Sequence, residues 1–350
     1  MTVRAKQGVS RLHFGVSALR QLKCKRSFEL PFSWLFAIIA GVIILLLAIY
    51  ATSRLISVGT YATQSEAGKQ IAILLNPVVN GITSAYATKI DLKRETRLTF
   101  GCYTENSKSY FGKQVISFAE ESGLGKKWQE SGANISIYNK FIFSDKLEQG
   151  KKIYIFSKPF YTGFRVDDLI FLSMENYCFV AAPEKIKNEV IGLNMKNINI
   201  SSSLESCQKN SAKVCFDFQE DACNVSVYGT CGDFDCEDQY EAGYVIKNGK
   251  QMNYFKSLIY AAIFSSPENY ECNINRLGKK IGELAAIYKD KADMVRLKGC
   301  DSVIGVYLDQ LISSSDKLNS AKLENVYNKA KLMDEQNCDA NCKIYTAENC

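Results

Sequence analysis

The sequence predicts an α+β protein with a single N-terminal transmembrane helix, a β-rich ectodomain braced by disulfides and a C-terminal helical bundle. Three observations favour this fold class. Residues 30–53 contain no charge, twelve of the thirteen cysteines follow that run, and the apolar period lengthens after residue 256. The predicted segments are a basic tail (1–28), a transmembrane helix (29–54), a helical stalk (55–85), a β-rich domain (86–255) and a helical region (256–350).

The uncharged run has the length of a membrane span, because roughly 20 apolar helical residues cross a hydrocarbon core about 30 Å thick. Seven Lys and Arg residues and no acidic residue occupy residues 1–28. Positive charge beside a span stays in the cytoplasm. We therefore expect a single-pass protein of the cell membrane that contacts the lipid bilayer through residues 30–53, with a cytoplasmic N-terminus and an extracytoplasmic C-terminal domain. A buried core helix is the alternative interpretation.

The same run raises two further alternatives. A secretory signal peptide has an apolar stretch of about 7–15 residues, so the longer run here favours an uncleaved anchor over cleavage near Ala62. A pilin-like processing site is suggested by Phe28 and Glu29 directly before the run. Cys24 fits that motif poorly, since a small residue is expected before the cut.

The charge balance argues against a nucleic-acid partner. The chain has 43 basic and 37 acidic residues, and seven of the basic residues belong to the N-terminal tail. The remainder of the chain is therefore close to neutral and offers no basic field for phosphates.

The cysteines after the span predict disulfide bonds in an oxidising compartment, because their number is even. Five of them form a cluster within residues 207–236. A zinc site of four thiolates is the alternative, but paired C-x2-C spacings are absent and no C-x-x-C redox motif occurs. The disulfide candidates are Cys102, Cys178, Cys207, Cys215, Cys223, Cys231, Cys236, Cys272, Cys300, Cys338, Cys342 and Cys350.

Three Asn-X-Ser triplets agree with an extracytoplasmic location without proving it. They begin at Asn134, Asn199 and Asn224.

Alternating apolar residues predict strands in the first half of the ectodomain. Residues 90–102 alternate in the manner of a half-buried strand. The runs at 141–143 and 153–156 flank a turn-like sequence at 147–150 and predict a hairpin. Further strands are expected at Leu169–Leu172, Tyr177–Val180 and Val214–Phe218, and Pro183 begins a short helix that ends at Leu193.

Helical spacing predicts three helices in the C-terminal region. The first is capped by Ser266, has Pro267 in its first turn and ends at Gly299. Two shorter helices are expected around Val303–Ile312 and Ala321–Gln336, and together the three helices form an antiparallel bundle.

The first of these helices restricts the disulfide pairing. Cys272 and Cys300 lie 28 residues apart, which is about 42 Å along a continuous helix at roughly 1.5 Å per residue. A disulfide requires Cα atoms within about 7 Å, so these two cysteines do not pair. We expect Cys300 to pair with Cys338 or Cys342.

The sequence lacks the common catalytic motifs. His13, in the tail, is the only histidine, which removes imidazole bases and ligands from the large domain. No phosphate-binding glycine motif occurs, and no cofactor is predicted. Asp233, Asp235 and Glu237 form a weak calcium candidate, although position twelve of the loop is Tyr244 instead of Glu.

A carboxylate pair at Asp167 and Asp168 is the remaining catalytic candidate. Sugar hydrolysis needs two carboxylates about 5–10 Å apart. Adjacent residues of a strand point to opposite faces of the sheet, which disfavours this interpretation.

Several segments resemble a family of uncharacterised single-span membrane proteins from archaeal genomes. The segments are SFELPFSWLFAIIAG (27–41), YIFSKPF (154–160), VDDLIFL (166–172), YCFV (177–180) and SLIYAAIFSSPENYEC (257–272). The resemblance implies an archaeal cell-envelope protein with the topology given above and assigns no catalytic residue.

We therefore expect a non-enzymatic, membrane-anchored envelope protein with a structural or partner-binding role, its partner being an envelope protein or a glycan. Two alternatives stay open. One is a pilin-like or secretion-system subunit that assembles through its apolar N-terminal helix, and the other is a carboxylate-dependent surface hydrolase.

Overall fold

The computed structural model describes residues 34, 36–52, 86–105, 108–121, 128–230, 239–299, 303–340 and 342–347. The chain divides into two compact units, Met1–Ser57 and Val58–Cys350. In the first unit residues 36–52 form a helix, and the large apolar side chains from Trp34 to Tyr50 are 47–67% exposed. None of the helices among the described residues combines the length and the apolar character that a membrane crossing requires. The predicted tail and stalk lie outside the described residues.

The second unit is a mixed α+β structure, as the sequence predicts. Its first sheet has the strand order β3-β2-β1-β5-β6-β4, in which β4 is parallel to β6 and the other pairs are antiparallel. The strands are β1 (Tyr86–Tyr103), β2 (Lys113–Glu121), β3 (Trp128–Tyr138), β4 (Phe141–Phe143), β5 (Leu147–Thr162) and β6 (Phe164–Ser173).

Strands β4, β5 and β6 are apolar on both faces. Along β4, Ile142 joins one hydrophobic cluster, while Phe141 and Phe143 join the other. Successive residues of β5 and β6 divide in the same way. Strands buried on both faces read as continuous apolar runs instead of alternating ones, which is why β4 to β6 carry such runs.

The first sheet curls until its edge strand β4 meets β2. Gln114 on β2 donates from Nε2 to the carbonyl of Ile142 at 2.7 Å and accepts the amide N–H of Ile142 at 2.8 Å. The Gln114 side chain therefore bonds to both the N–H and the carbonyl of Ile142, although β2 and β4 are not neighbours in the sheet. The curled sheet encloses the hydrophobic cluster that contains Ile142, to which Leu98, Phe100 and Ile116 also belong.

The second sheet has the order β12-β11-β10-β9-β7-β8. Strands β8, β7, β9 and β10 are mutually parallel, and β10 to β12 form an antiparallel meander. The strands are β7 (Asn176–Val180), β8 (Ile198–Ser201), β9 (Ser211–Phe216), β10 (Val225–Gly229), β11 (Ala242–Lys247) and β12 (Lys250–Phe255).

Within the described residues of this unit there are also five α-helices. They are α1 (Glu184–Leu193), α2 (Leu258–Phe264), α3 (Pro267–Arg296), α4 (Ile304–Ser315) and α5 (Leu323–Asp339). Helix α2 contacts strands of both sheets, and all seven of its residues are buried. Helix α4 packs on α3 and on α5. The sheets and helices thus share one large hydrophobic cluster.

Several sequence predictions are confirmed here. The strand predicted at residues 90–102 lies within β1, the short helix from Pro183 is α1, and the Ser266 hydroxyl caps α3 by accepting the Asn269 amide N–H at 3.4 Å. The predicted 141–156 hairpin is wrong. Strand β4 pairs in parallel with β6, and the supposed turn at 147–150 is the paired start of β5 against β1. Apolar residues on both faces left the pairing partner unspecified.

Three disulfides lie within the described residues: Cys102–Cys272, Cys178–Cys207 and Cys215–Cys223. The first joins β1 to α3 across 170 residues, so Cys272 does not pair with Cys300, as predicted. Cys338 and Cys342 are also disulfide-bonded. Cys24, Cys231, Cys236, Cys300 and Cys350 lie outside the described residues, and the pairing of Cys300 with Cys338 or Cys342 stays a prediction.

A hydrogen-bonded network of buried groups attaches α3 to the curled sheet beside the first disulfide. Asn273 donates to the Ile142 carbonyl at 2.8 Å and accepts from Arg276 Nη1 at 2.8 Å. Arg276 also donates from Nε to the Phe111 carbonyl at 2.8 Å. Its Nη2 has no hydrogen-bond partner among the residues that the structure describes. Burial lowers the pKa of Arg276 to about 10.

We expect Gln114→Ala to lower the free energy of unfolding by about 1–3 kcal/mol, because a buried amide N–H of β4 loses its acceptor. Gln208→Ala, at an exposed position, is the matched control and should change stability by less than about 0.5 kcal/mol. Chemical denaturation measures both. Equal effects of the two substitutions would show that Gln114 does not close the sheet.

Candidate functional site

A cavity of about 580 Å³ lies at the carboxyl edge of the parallel strands of the second sheet. Residues Lys185, Ile186 and Glu189 of α1 form one wall, directly after β7. Glu241 precedes β11, and Lys256 follows β12 at the same edge. Ligands of open α/β sheets bind outside the carboxyl ends of the strands. The position of the cavity therefore makes it the candidate functional site.

Three further elements enclose the cavity, and one of them is α2, which contributes Ile259 and Tyr260. Strand β5 of the first sheet contributes Lys158, Pro159 and Tyr161, and α5 contributes Ala330 and other residues. Because the two sheets and a C-terminal helix converge on one cavity, distant parts of the sequence supply its side chains. The volume is within the range of about 300–1,000 Å³ that is usual for small-molecule sites.

The charges that line the cavity are balanced in number. Among the lining residues that the structure describes, four are lysines and four are acids, and none is Arg, Asn, Gln or His. The lysines are Lys158, Lys185, Lys256 and Lys331, and the acids are Glu189, Glu241, Asp334 and Glu335.

Lys158, Glu189 and Tyr260 form the best-defined polar cluster of the cavity. The Lys158 ammonium is ion-paired with Glu189 Oε2 and lies 4.7 Å from the centre of the Tyr260 ring. The Tyr260 hydroxyl donates to the same carboxylate oxygen at 2.5 Å. The side chains of Lys158 and Glu189 remain 18% and 33% exposed, so a ligand in the cavity can reach both charges.

Buried tyrosines form much of the remaining surface. Tyr240 donates to Asp217 at 2.5 Å, and the Tyr327 ring packs against Phe255 with centroids 5.5 Å apart. Burial, followed by the nearby carboxylate of Glu241, raises the pKa of Tyr327. Its hydroxyl is hydrogen-bonded to the carboxylate of Glu241.

Two backbone positions at the cavity have positive φ. Lys256 has φ 49°, and its amide N–H donates to the Glu241 carbonyl at 2.7 Å. Gly163 has φ 85°, and a Cβ there would lie 2.6 Å from Met333 Cε of α5. Non-glycine residues with such φ values cost free energy and cluster at functional sites, so the conformation of Lys256 fits the assignment of this cavity.

A second cavity of about 550 Å³ lies where the β4–β5 connection meets the β11–β12 turn. Lys247 donates to both carboxylate oxygens of Asp145 at 2.9 Å and to the Ile263 carbonyl at 3.1 Å. These bonds join the two sheets and α2. The charged groups here hold the fold together, and we assign this cavity a structural role.

Glu148 is buried beside this cluster. Its Oε2 accepts the Met174 amide N–H at 2.7 Å, whereas Oε1 has no hydrogen-bond partner in the described part of the chain. Burial raises the pKa of Glu148 to about 8, and the nearby carboxylates of Asp145 and Glu175 act in the same direction. The carboxyl is thus mostly protonated at neutral pH.

The calcium and glycosylation candidates lie away from both cavities or outside the described residues, except for Asn224, which lines the second cavity. The calcium candidates Asp233, Asp235 and Glu237 lie outside the described residues, and the described part of the chain contains no group of three or more metal-ligating side chains. Asn134, Asn199 and Asn224 are exposed, and Asn224 Oδ1 accepts the Lys213 amide N–H at 2.8 Å.

The carboxylate pair suggested for hydrolysis is used in other interactions. Asp167 is ion-paired with Lys280 of α3, and Asp168 accepts from Arg165 Nη2 at 2.6 and 2.8 Å. Neither residue lines a cavity described above.

The cavity is not predicted by the sequence patterns described above. Its best signal is the strand at Tyr177–Val180 followed by the helix from Pro183 and then by the short strand β8 (Ile198–Ser201), which together form a parallel β-α-β unit. Recognition of that unit would have directed attention to the segment after Val180.

Comparison of the chain with protein-family models, curated proteins and solved structures gives no match. The resemblance to an archaeal membrane-protein family therefore stays a prediction, and function is inferred from the site alone.

We expect Glu148→Gln to stabilise the protein at neutral and alkaline pH. The folded-state pKa lies above the unfolded value, so the stability contributed by the protonated group is complete below about pH 4.5 and is lost as the pH rises towards 8. At about 1.4 kcal/mol per pKa unit, the substitution should add on the order of 3–5 kcal/mol at pH 8 and almost nothing at pH 4.

Denaturation between pH 4 and pH 9 measures this effect. Glu205→Gln, at an exposed position, is the matched control and should leave the pH dependence unchanged. A parallel shift of the Glu148→Gln curve at every pH would contradict the protonation argument.

Proposed function

We propose that this protein is anchored in the cell membrane by its apolar N-terminal helix and binds a component of the cell envelope in the cavity between α1, β5 and α5. The observation that carries the proposal is the cavity itself. Charged and aromatic side chains from both sheets and three helices converge there, in a domain braced by disulfides. The role is binding, and no catalytic step is proposed.

Two features support the proposed location. The helix over residues 36–52 exposes a continuous set of large apolar side chains, and exposed apolar surface of this extent marks an interaction with lipid or protein. The disulfides of the large unit are typical of oxidising compartments. A domain outside the membrane accounts for both features together with the basic tail.

The construction of the cavity supports binding. Ion-paired Lys158 and Glu189 are held by the buried Tyr260 hydroxyl, and the Ser257 hydroxyl donates to the Pro159 carbonyl at 3.0 Å. The groups that would contact a ligand are thus positioned before binding, which reduces the entropy that binding costs.

Thiol labelling tests the proposed location. On intact cells that express the full chain, a membrane-impermeant reductant and a mass-tagged maleimide should label the ectodomain cysteines and leave Cys24 unlabelled. Lysis without reductant should expose one thiol, because only Cys24 lies in the proposed cytoplasmic tail. Mass shifts on a denaturing gel measure the number of tags.

Cys24→Ser is the control variant, and it should abolish labelling after lysis while leaving the labelling of intact cells unchanged. Labelling of the large domain only after lysis would overturn the proposed orientation.

Site-specific crosslinking tests the proposed binding. A photoreactive phenylalanine analogue at Tyr161, which lines the cavity, should give a defined adduct on intact cells. The same analogue at Tyr110, which is 63% exposed and does not line the cavity, is the matched control. Mass spectrometry of the adducts measures the difference, and identical adduct patterns at the two positions would overturn binding in this cavity.

A further inference from the structure

The three Asn-X-Ser triplets at Asn134, Asn199 and Asn224 differ in how the fold presents them. We propose that the folded domain accepts an N-linked glycan at Asn134 and not at the other two positions, an inference that rests on the extracytoplasmic location proposed above. Glycan transfer needs a reachable amide nitrogen and a reachable hydroxyl two residues later, because these two residue types define the acceptor motif. The fold satisfies both requirements at one triplet only.

The Asn134 triplet presents both groups to solvent. Asn134 and Ser136 are exposed, whereas Ile135 between them packs against the hydrophobic cluster inside the curled sheet. This arrangement follows from the strand, because residues i and i+2 lie on one face. Among the described residues neither exposed side chain has a hydrogen-bond partner. The amide nitrogen and the hydroxyl are therefore both available.

The backbone at Asn134 is held by one neighbouring strand. Strand β3 lies at the edge of the first sheet and pairs with β2 alone. The β2–β3 register shifts between Ser117, which pairs with Asn134, and Ala119, which pairs with Glu130. Such an irregularity interrupts a ladder locally. The triplet thus begins directly after a break in the pairing, and an enzyme can lift it by opening bonds to β2 only.

The Asn224 triplet lies at the centre of the second sheet and is withheld. Asn224 Oδ1 accepts the Lys213 amide N–H at 2.8 Å, and the side chain lines the second cavity. Ser226 is only 3% exposed, so its hydroxyl is out of reach. Strand β10, which begins at Val225, lies between β9 and β11. Exposure of the hydroxyl would therefore break the ladders on both sides of β10.

The Asn199 triplet lies on the edge strand β8, but its hydroxyl is already bonded. Ser201 Oγ donates to the Ser203 carbonyl at 2.7 Å and accepts the Ser203 amide N–H at 3.1 Å. Asn199 pairs with Cys178 of β7, and the disulfide from Cys178 to Cys207 holds the segment that follows β8. Opening of this triplet is therefore resisted by a covalent link as well as by hydrogen bonds.

Modification of Asn134 requires an activated donor, and the donor class is a saccharide carried on a lipid diphosphate. Asn134 Nδ2 forms a bond to the anomeric carbon of the saccharide, the C–O bond to the diphosphate breaks, and the amide nitrogen gives one proton to a base of the transferase. The lipid diphosphate leaves with the electron pair of the broken bond. The bulky, polar product covers the edge of β3, where unpaired backbone groups otherwise favour pairing with another chain.

Glycosylation of the purified full-length protein in lipid nanodiscs tests the proposal. The probes are a single-subunit oligosaccharyltransferase that needs only the Asn-X-Ser triplet and a lipid-linked oligosaccharide, and glycopeptide mass spectrometry follows each site over time. Asn134 should be modified at least about tenfold faster than Asn199 or Asn224, because each further hydrogen bond that must open lowers the accessible population by up to about that factor. Equal rates at the three sites, or no modification of Asn134, would overturn the proposal.

Two controls show whether the fold causes the preference. The reduced, alkylated and unfolded chain should be modified at similar rates at all three triplets, and a preference for Asn134 that survives unfolding would overturn the structural argument. Ser136→Ala should abolish modification of Asn134, whereas Ser117→Ala, the same change on the neighbouring strand, should leave it unchanged. Failure of the proposed location would appear separately, as thiol labelling of the large domain only after lysis.

Discussion

The closure of the curled sheet by Gln114 is the interaction on which the rest of the large unit depends. Strand β4 has only three residues and pairs with β6 alone, so its backbone groups need partners from outside the sheet. Gln114 supplies a donor and an acceptor from one side, and Asn273 supplies a second donor to the same carbonyl from α3. Unpaired buried backbone groups cost about as much as lost hydrogen bonds. The same contacts thus close the sheet and fix the start of the longest helix.

This constraint determines where the cavity forms. Strand β5 places Ile153 and Ile155 inside the curled sheet and Phe156 and Phe160 in the larger cluster. Beyond Phe156 the strand extends past α2 towards the carboxyl edge of the second sheet, where it brings Lys158 against α1. Helix α2 contacts strands of both sheets, and α5 contacts β5 and β12. The cavity is a consequence of how three layers meet.

The sequence predicts those features that depend on local chemistry. Ser266 and Pro267 identify the start of α3 because a cap and a first-turn proline act within a few residues. The hairpin at 141–156 is mispredicted because strands with two apolar faces carry no alternation that specifies a partner. The candidate site could not be predicted from the sequence, for a different reason. Lys158 and Tyr260 contact Glu189 from 31 and 71 residues away, and no motif spacing joins side chains that only the packing of two sheets brings together.

The two cavities have similar volumes. They differ in how completely their charged side chains are buried and hydrogen-bonded to other parts of the protein. Around the second cavity Lys247 is only 8% exposed, bonds to both oxygens of Asp145 and also reaches the Ile263 carbonyl. Removal of either partner would leave a buried charge, so these residues are fixed by stability. In the first cavity Glu189 receives both of its bonds on one carboxylate oxygen and is a third exposed. A charged side chain that is held in place and still exposed to the cavity fits the binding function proposed above.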